Sequence, residues 1–326
     1  MGDDTHDEPI RGEVRLADHR RVGHGLYVKK RPELTRADER LRDLRAWLLV
    51  LPPGAVFTHV TGAELLGWQL PALPEQVPVF AAVRTNDPRP RRPGLLCARL
   101  VRDGPAFDGA PTLGDLPVDD PEEILLRAAR DLGSLDLTIM LDSALRLGHV
   151  DPVRMEKVLS SGRPGVRLLK QVWAVADPRT DSAGETVNRR FHQVMDVLVE
   201  PQARLYSDTG DFVGQADLLI VGTPYVHEYD GEVHRLKGQQ AVDLRRGRGL
   251  TGSSYIRNGF SLDELLNHAI VVMHELDRIL DRPHDLSRIR AWQRLIDNSL
   301  YSVGGRERVM NRWRRAGGLV DWSKPA

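Results

Sequence analysis

The sequence predicts an α/β (α+β) protein, and three observations carry that expectation. Helical stripes fill the stretch from Pro121 to Val175. Three short apolar runs separated by turn pairs then follow a further helix, between Ala203 and Asp230. A separate N-terminal α+β region mixes strand-like runs with Pro/Gly breakers such as Pro52-Pro53-Gly54. The expected division is a polar segment over 1–20, an α+β region over 21–176 ending in helices, a second domain over 177–285, and a basic helical extension over 286–326.

Residues 1–20 are polar and read as poorly ordered. Leu26 to Lys29, after the Gly23-His-Gly25 turn signal, reads as a strand. Leu41 to Leu51 has helical spacing and stops at the proline pair. Thr61, with Glu64 three residues on, matches a capping box opening a short helix. Val77–Val83 and Leu95–Val101 read as strands flanking the basic, proline-rich loop Asn86–Gly94.

Asp120-Pro121 opens a helix through Arg130, because proline in the first turn gives up no hydrogen bond. Leu137, Leu141, Ala144 and Leu145 stripe a second helix over 135–147. Asp151-Pro152 opens a third to about Leu159, and Gly165–Val175 is a fourth. A helix over 185–199 presents Val187, Phe191, Val194, Met195 and Leu198 to a core. Strands follow over 203–207, 212–221 and 225–230, with a further one over 254–257. Gln239–Arg248 reads as a basic helix and Ser261–Asp281 as one long amphipathic helix capped by Ser261 and Glu264. Helices over 286–295 and 307–315 complete the reading.

The chain has 326 residues, 41% of them hydrophobic, which suits two domains with real cores. Its 46 basic and 46 acidic residues cancel, so any nucleic-acid surface must be a local patch. The single cysteine, Cys97, excludes an intrachain disulfide and a cysteine-rich zinc site. The acidic start lacks an apolar signal core, and no apolar run approaches the ~20 residues that cross a bilayer. A cytoplasmic protein with no membrane partner is expected.

The chemistry concentrates in Glu185, Asp217, Glu228, Asp230 and His234. Any one of them alone is usually a solvated surface group. Asp217 and Glu228, however, both interrupt apolar runs, where a charge must be matched. They lie on neighbouring strands joined near Gly222, so a hairpin brings them together. Carboxylates placed side by side repel unless a cation neutralises them, so Asp217, Glu228 and Asp230 are candidate ligands of Mg²⁺, with Mn²⁺ as an alternative. Glu185 would hold a metal-bound water or a second ion, and His234 would exchange a proton. Arg189, Arg190, Arg245, Arg246 and Arg248 are candidate phosphate contacts, with a solvated helix face as the equal alternative. His192 and His227 read as structural or exposed.

Glu185, Asp217 and Glu228-Tyr-Asp230-Gly-x-x-His234 resemble the PD-(D/E)XK nuclease superfamily, in the branch similar to very-short-patch-repair (Vsr) endonucleases. The resemblance covers roughly 182–265 and implies a restriction-endonuclease-like fold, a mixed β-sheet flanked by helices. It implies that Asp217 and Glu228 bind Mg²⁺ and that Glu185 is the helix acid. Asp230 stands where the wider superfamily often has lysine, a departure usual in this branch. Upstream, Gly25-Leu-Tyr-Val28, the Pro53-Gly54…Thr58-His59-x-Thr-Gly-Ala-Glu-Leu-Leu-Gly67 segment and Leu116-Pro-Val-Asp-Asp-Pro121 resemble the AbiEi-type antitoxin or transcriptional-regulator family. About twenty polar residues precede that region, too few for the winged helix-turn-helix usual there. The expectation is a Mg²⁺-dependent endonuclease acting on DNA. The alternative is a non-enzymatic antitoxin-like or regulatory protein that keeps the nuclease fold as a binding module. A protein partner and the oligomeric state stay open.

Overall fold

The computed structural model describes residues 9–101, 111–231, 254–317 and 319. Among them are eleven α-helices and three sheets, a mixed α/β arrangement. Contacts divide the chain into two units, one of 1–131, 149–169 and 306–326, the other of 132–148 and 170–305. The chain passes between them at 131/132, 148/149, 169/170 and 305/306, where the sequence reading places one boundary near 177 and an extension from 286.

In the first unit, β1 (Ile10–Arg11), β2 (His19–Gly23) and β3 (Leu26–Lys29) form an antiparallel sheet in the order β1-β3-β2. For residues 9–20 this corrects the reading as poorly ordered, since Ile10 pairs with Tyr27 and Arg20 with Val28; residues 1–8 lie outside the described residues. The region is polar because its ordering comes from backbone pairing and ion pairs such as Arg20–Asp43 at 2.6 Å. Leu26 and Val28 alternate inward and are buried. α1 (Arg36–Leu48) starts five residues before its apolar stripe, because Thr35 and Asp38 make a reciprocal capping box ahead of it.

A second sheet orders β4 (Val56–Phe57), β5 (Val79–Val83) and β6 (Leu95–Arg99) as β4-β5-β6, with β5 and β6 parallel. All five residues of β5 are buried, the pattern of a strand covered on both faces. α2 (His59–Leu65) packs against β5. Thr61, expected as its cap, lies inside the helix, where its hydroxyl accepts the Phe80 N–H at 3.1 Å; Thr58 occupies the cap. A short buried helix cannot leave a β-strand N–H unpaired, and Thr61 supplies the acceptor.

Further helices are α3 (Pro121–Ala128), α4 (Ser134–Arg146), α5 (Pro152–Leu159) and α6 (Val166–Trp173). The Asp-Pro openings behave as read: Asp151 accepts the N–H groups of Val153 at 2.7 Å and Arg154 at 3.2 Å.

In the second unit, α7 (Ala183–Val194) precedes β7 (Val199–Tyr206), β8 (Phe212–Ile220) and β9 (Tyr225–Tyr229). These three strands are antiparallel, and β10 (Ile256–Phe260) adds to β9 in parallel, giving the order β10-β9-β8-β7. The long helix expected over 261–281 is two, α8 (Leu262–Asn267) and α9 (Ala269–Ile279), because His268 leaves helical dihedrals at φ −120°, ψ 21°. Its predicted start holds, as Ser261 and Glu264 cap each other's backbone. α10 (Leu286–Asp297) follows, and α11 (Val303–Arg315) crosses the 305/306 boundary and belongs for most of its length to the first unit. The core joins Val187 and Phe191 of α7, Ile220 and Phe260 of the sheet, Met273 of α9 and Trp292 of α10. Trp292 satisfies its indole by donating to the Leu265 carbonyl at 2.7 Å.

Candidate active site on the four-stranded sheet

Burial alternates along β8, with Ala216, Leu218 and Ile220 buried and Asp217 half-buried between them. The polar residue therefore takes the opposite face from the core stripe. Leu218 faces His227 and Leu219 faces Val226 across β8 and β9, so one further step of the same register sets Asp217 opposite Glu228. Carboxylates directly opposite each other on an antiparallel pair repel. Asp217 takes the Tyr229 N–H at 2.9 Å, and Glu228 pairs with the Arg257 guanidinium of β10. Arg257 was not foreseen as a site residue: on the sequence it ends the short strand over 254–257, and only the parallel pairing of β10 with β9 brings it to Glu228.

Glu185 sits in the first turn of α7, a favourable place for a negative charge. Its carboxylate accepts from Ser182 Oγ, from the Asp181 N–H and from Gln202 Nε2, each at 2.9 Å. Burial pushes its pKa up, and the charge of Asp217 pushes it the same way, so the two acids sense each other. Gln202 holds a left-handed φ of 52°, a conformation that a non-glycine residue rarely adopts. It has no sequence signal, although it braces the helix acid. Gly184 beside Glu185 has a chemical reason: a Cβ there would meet the Tyr229 ring at 2.0 Å.

Asp230 is exposed, and its carboxylate lies over Gly259, where a Cβ would come within 2.1 Å of Oδ2. Two residues from Glu228, it follows that residue's side of the pleat. His234, Arg245, Arg246 and Arg248 lie outside the described residues.

Arg189 is not a phosphate contact. It is fully buried, pairs with Asp142 at 2.6 Å and donates to the Val175 carbonyl at 2.8 Å. On the helical wheel it faces α4 rather than solvent, and a buried guanidinium requires such a partner. Asp142 also accepts from Thr186 at 3.0 Å and from the Asp177 N–H at 2.8 Å. Arg190 is largely buried too, and desolvation lowers its pKa to about 10.

His192 and His227 are structural. Both are fully buried, with His192 Nε2 2.8 Å from His227 Nδ1 and His192 Nδ1 2.9 Å from the Asn188 carbonyl. A carbonyl can only accept, so His192 carries its proton on Nδ1 and accepts at Nε2 from His227. Desolvation lowers the pKa of His192 to about 4; desolvation and then the charge of His192 lower that of His227 to about 3.

Among the described residues no three His, Cys, Asp or Glu side chains gather as a ready metal cage. No described helix is long and apolar enough to cross a membrane. Comparison with protein-family models, characterised proteins and solved structures gives no match.

Proposed function

We propose that the second unit is a Mg²⁺-dependent phosphodiesterase acting on DNA, with Asp217 and Glu228 as metal ligands. The observation that carries the reading is the meeting of acids from three elements: Glu185 of α7 within electrostatic reach of Asp217 of β8, and Glu228 opposite it on β9. A mixed sheet with helices against it also agrees with the PD-(D/E)XK resemblance.

The described side chains are not gathered as a ready metal cage, and the support for a hard divalent cation is the chemistry of the donors. All are carboxylate oxygens; burial raises the pKa of Glu185 first and the charge of Asp217 adds to it, and a cation would relieve that second part. Bound there, Mg²⁺ would neutralise phosphate charge and activate water. The residues' own part follows from their contacts. Asp217 is held in place by the Tyr229 N–H, and Glu228, now paired with Arg257, would have to release that guanidinium to hold an ion. Glu185, with its raised pKa and three donors, is placed to hold a water or take its proton.

The same Arg257 contact favours the second reading, a binding module, because an internal guanidinium already neutralises Glu228. The deciding experiment incubates the protein with plasmid, linear and single-stranded DNA, with Mg²⁺, Mn²⁺ or EDTA, beside Asp217→Asn and Glu228→Gln. Metal-dependent cutting lost by about a hundredfold or more in both variants supports the enzyme. Undiminished cutting by the variants removes the assignment.

A further inference from the structure

The first unit holds a recess of about 800 Å³ between β6, the loop before it, the end of α3 and α11. Six arginines line it: Arg89, Arg91, Arg92, Arg127, Arg130 and Arg312. The lining contains one carboxylate, Asp131, in a chain whose formal charge is zero. The positive charge is therefore local and concave, a geometry that focuses the field on an anion.

Half of these arginines are engaged within the unit. Arg127 meets Asp119 at 3.1 Å, Arg312 meets Asp131 at 2.7 Å, and Arg92 donates to the His24 carbonyl at 2.8 Å. Arg89, Arg91 and Arg130 are exposed and pair with no carboxylate among the described residues. The one acid is already committed, since Asp131 also takes the Trp313 indole N–H at 2.9 Å and lies 3.3 Å from His59 Nε2. Burial pushes its pKa up, but His59, the Trp313 indole and the charge of Arg312 together outweigh it and hold the carboxyl below the usual value.

The inner wall is largely aromatic. Phe80 stacks on His59 at 4.0 Å, and Trp313 meets Phe80 edge-on at 5.5 Å. His59 sits at φ 54°, a strained conformation held by packing, with its Nδ1 accepting the Val60 N–H at 2.7 Å. Leu96, Cys97 and Ala98 of the edge strand β6 continue the wall and are only half-buried. Three unmatched guanidiniums call for several negative charges, and planar forks match phosphate oxygens. The half-exposed apolar wall calls for an uncharged, flat portion on the same ligand. The volume lies within the ~300–1,000 Å³ of small-molecule sites.

We propose that this recess binds a nucleoside di- or triphosphate, with Arg89, Arg91 and Arg130 on the phosphates and the base against the β6 wall. The site is separate from the carboxylates of the four-stranded sheet and does not depend on their being catalytic. The test is calorimetric titration of the full chain in EDTA with ATP, GTP, adenosine, inorganic triphosphate and a single-stranded oligonucleotide. A nucleoside triphosphate should bind at least about tenfold more tightly than either adenosine or inorganic triphosphate. Arg91→Ala and Arg130→Ala, both exposed substitutions, should each weaken it about tenfold with an unchanged melting temperature, while Asp217→Asn should not. Three outcomes overturn the proposal: no binding of either triphosphate, equal binding of nucleotide and inorganic triphosphate, or binding untouched in the folded Arg89/Arg91/Arg130→Ala triple variant. Preference for the oligonucleotide, growing with its length, would assign the patch to a nucleic-acid backbone and overturn it as well.

Discussion

The buried histidine pair makes stability depend on pH in a direction that can be worked out. His192 and His227 have folded pKa values near 4 and 3, against 6.5 for a free histidine. Both are therefore neutral in the fold and charge readily only when unfolded. Their contribution is complete above pH 6.5 and is lost as pH falls from 6.5 towards the folded values. At pH 5 each group is 1.5 units below the reference of 6.5 and still above its folded value. At about 1.4 kcal/mol per unit, that is about 2 kcal/mol each and about 4 kcal/mol together. Such a loss is a large part of the roughly 5–15 kcal/mol that holds a domain folded. Glu185 and Asp142, both raised by burial, act in the opposite sense at lower pH, so a difference between proteins is the cleaner observable. His227→Gln keeps a donor for His192 but removes one titration. Urea unfolding followed by tryptophan fluorescence, with Trp292 in the same core, should show a pH slope between 6.5 and 5 that is shallower in the variant by about 1 kcal/mol per unit. Parallel slopes for the two proteins would refute the buried neutral pair.

Other consequences can be measured alongside. Arg189→Met should destabilise the protein by about 3–5 kcal/mol by stranding Asp142, with Asp142→Asn in the same chain restoring part of it; a loss under about 1 kcal/mol would return Arg189 to the surface. Gly133→Ala should cost about 1–3 kcal/mol in a thermal melt, because the new Cβ meets the Asn298 carbonyl oxygen at 2.1 Å. Arg257→Ala releases Glu228, so Mn²⁺ titration should show tighter binding than wild type; weaker binding would mean the guanidinium helps rather than competes. Asp217→Asn should abolish metal-dependent cleavage while leaving the unfolding midpoint within about 1 kcal/mol, since its site is half-buried.

Local signals were legible where one residue type decides the matter. Ser261 with Glu264, Asp151 before Pro152 and the apolar alternation of β8 each produced the element read from them. The hairpin that sets Asp217 against Glu228 followed from strand periodicity and one turn. What escaped depends on pairing at long range. The strands at Ile10 and His19 carry almost no apolar residues, and only β3 makes them strands. Arg189 reads as any helix arginine until α4 places Asp142 against it, 47 residues away in sequence. Arg257 and Gln202 likewise owe their roles to distant partners, Glu228 on β9 and Glu185 on α7. On the sequence Arg89, Arg91 and Arg92 read as a solvated loop or as contacts to a phosphate backbone, because nothing local reveals the wall opposite them.

The division of the chain bears on the order in which the protein can be completed during synthesis. The ring cluster of the first unit needs Trp313 beside Phe80 and His59, and Asp131 needs Arg312, so the N-terminal 131 residues lack these contacts until the last helix emerges. Domains usually finish in the order in which they leave the ribosome. Here the second unit, whose final residue is 305, has all its parts first, and the unit that begins the chain closes last. Chains released after residue 305 should hold a protease-resistant second unit and a cleavable first one, so removing residues from 306 onward should damage the unit that contains residues 9–101.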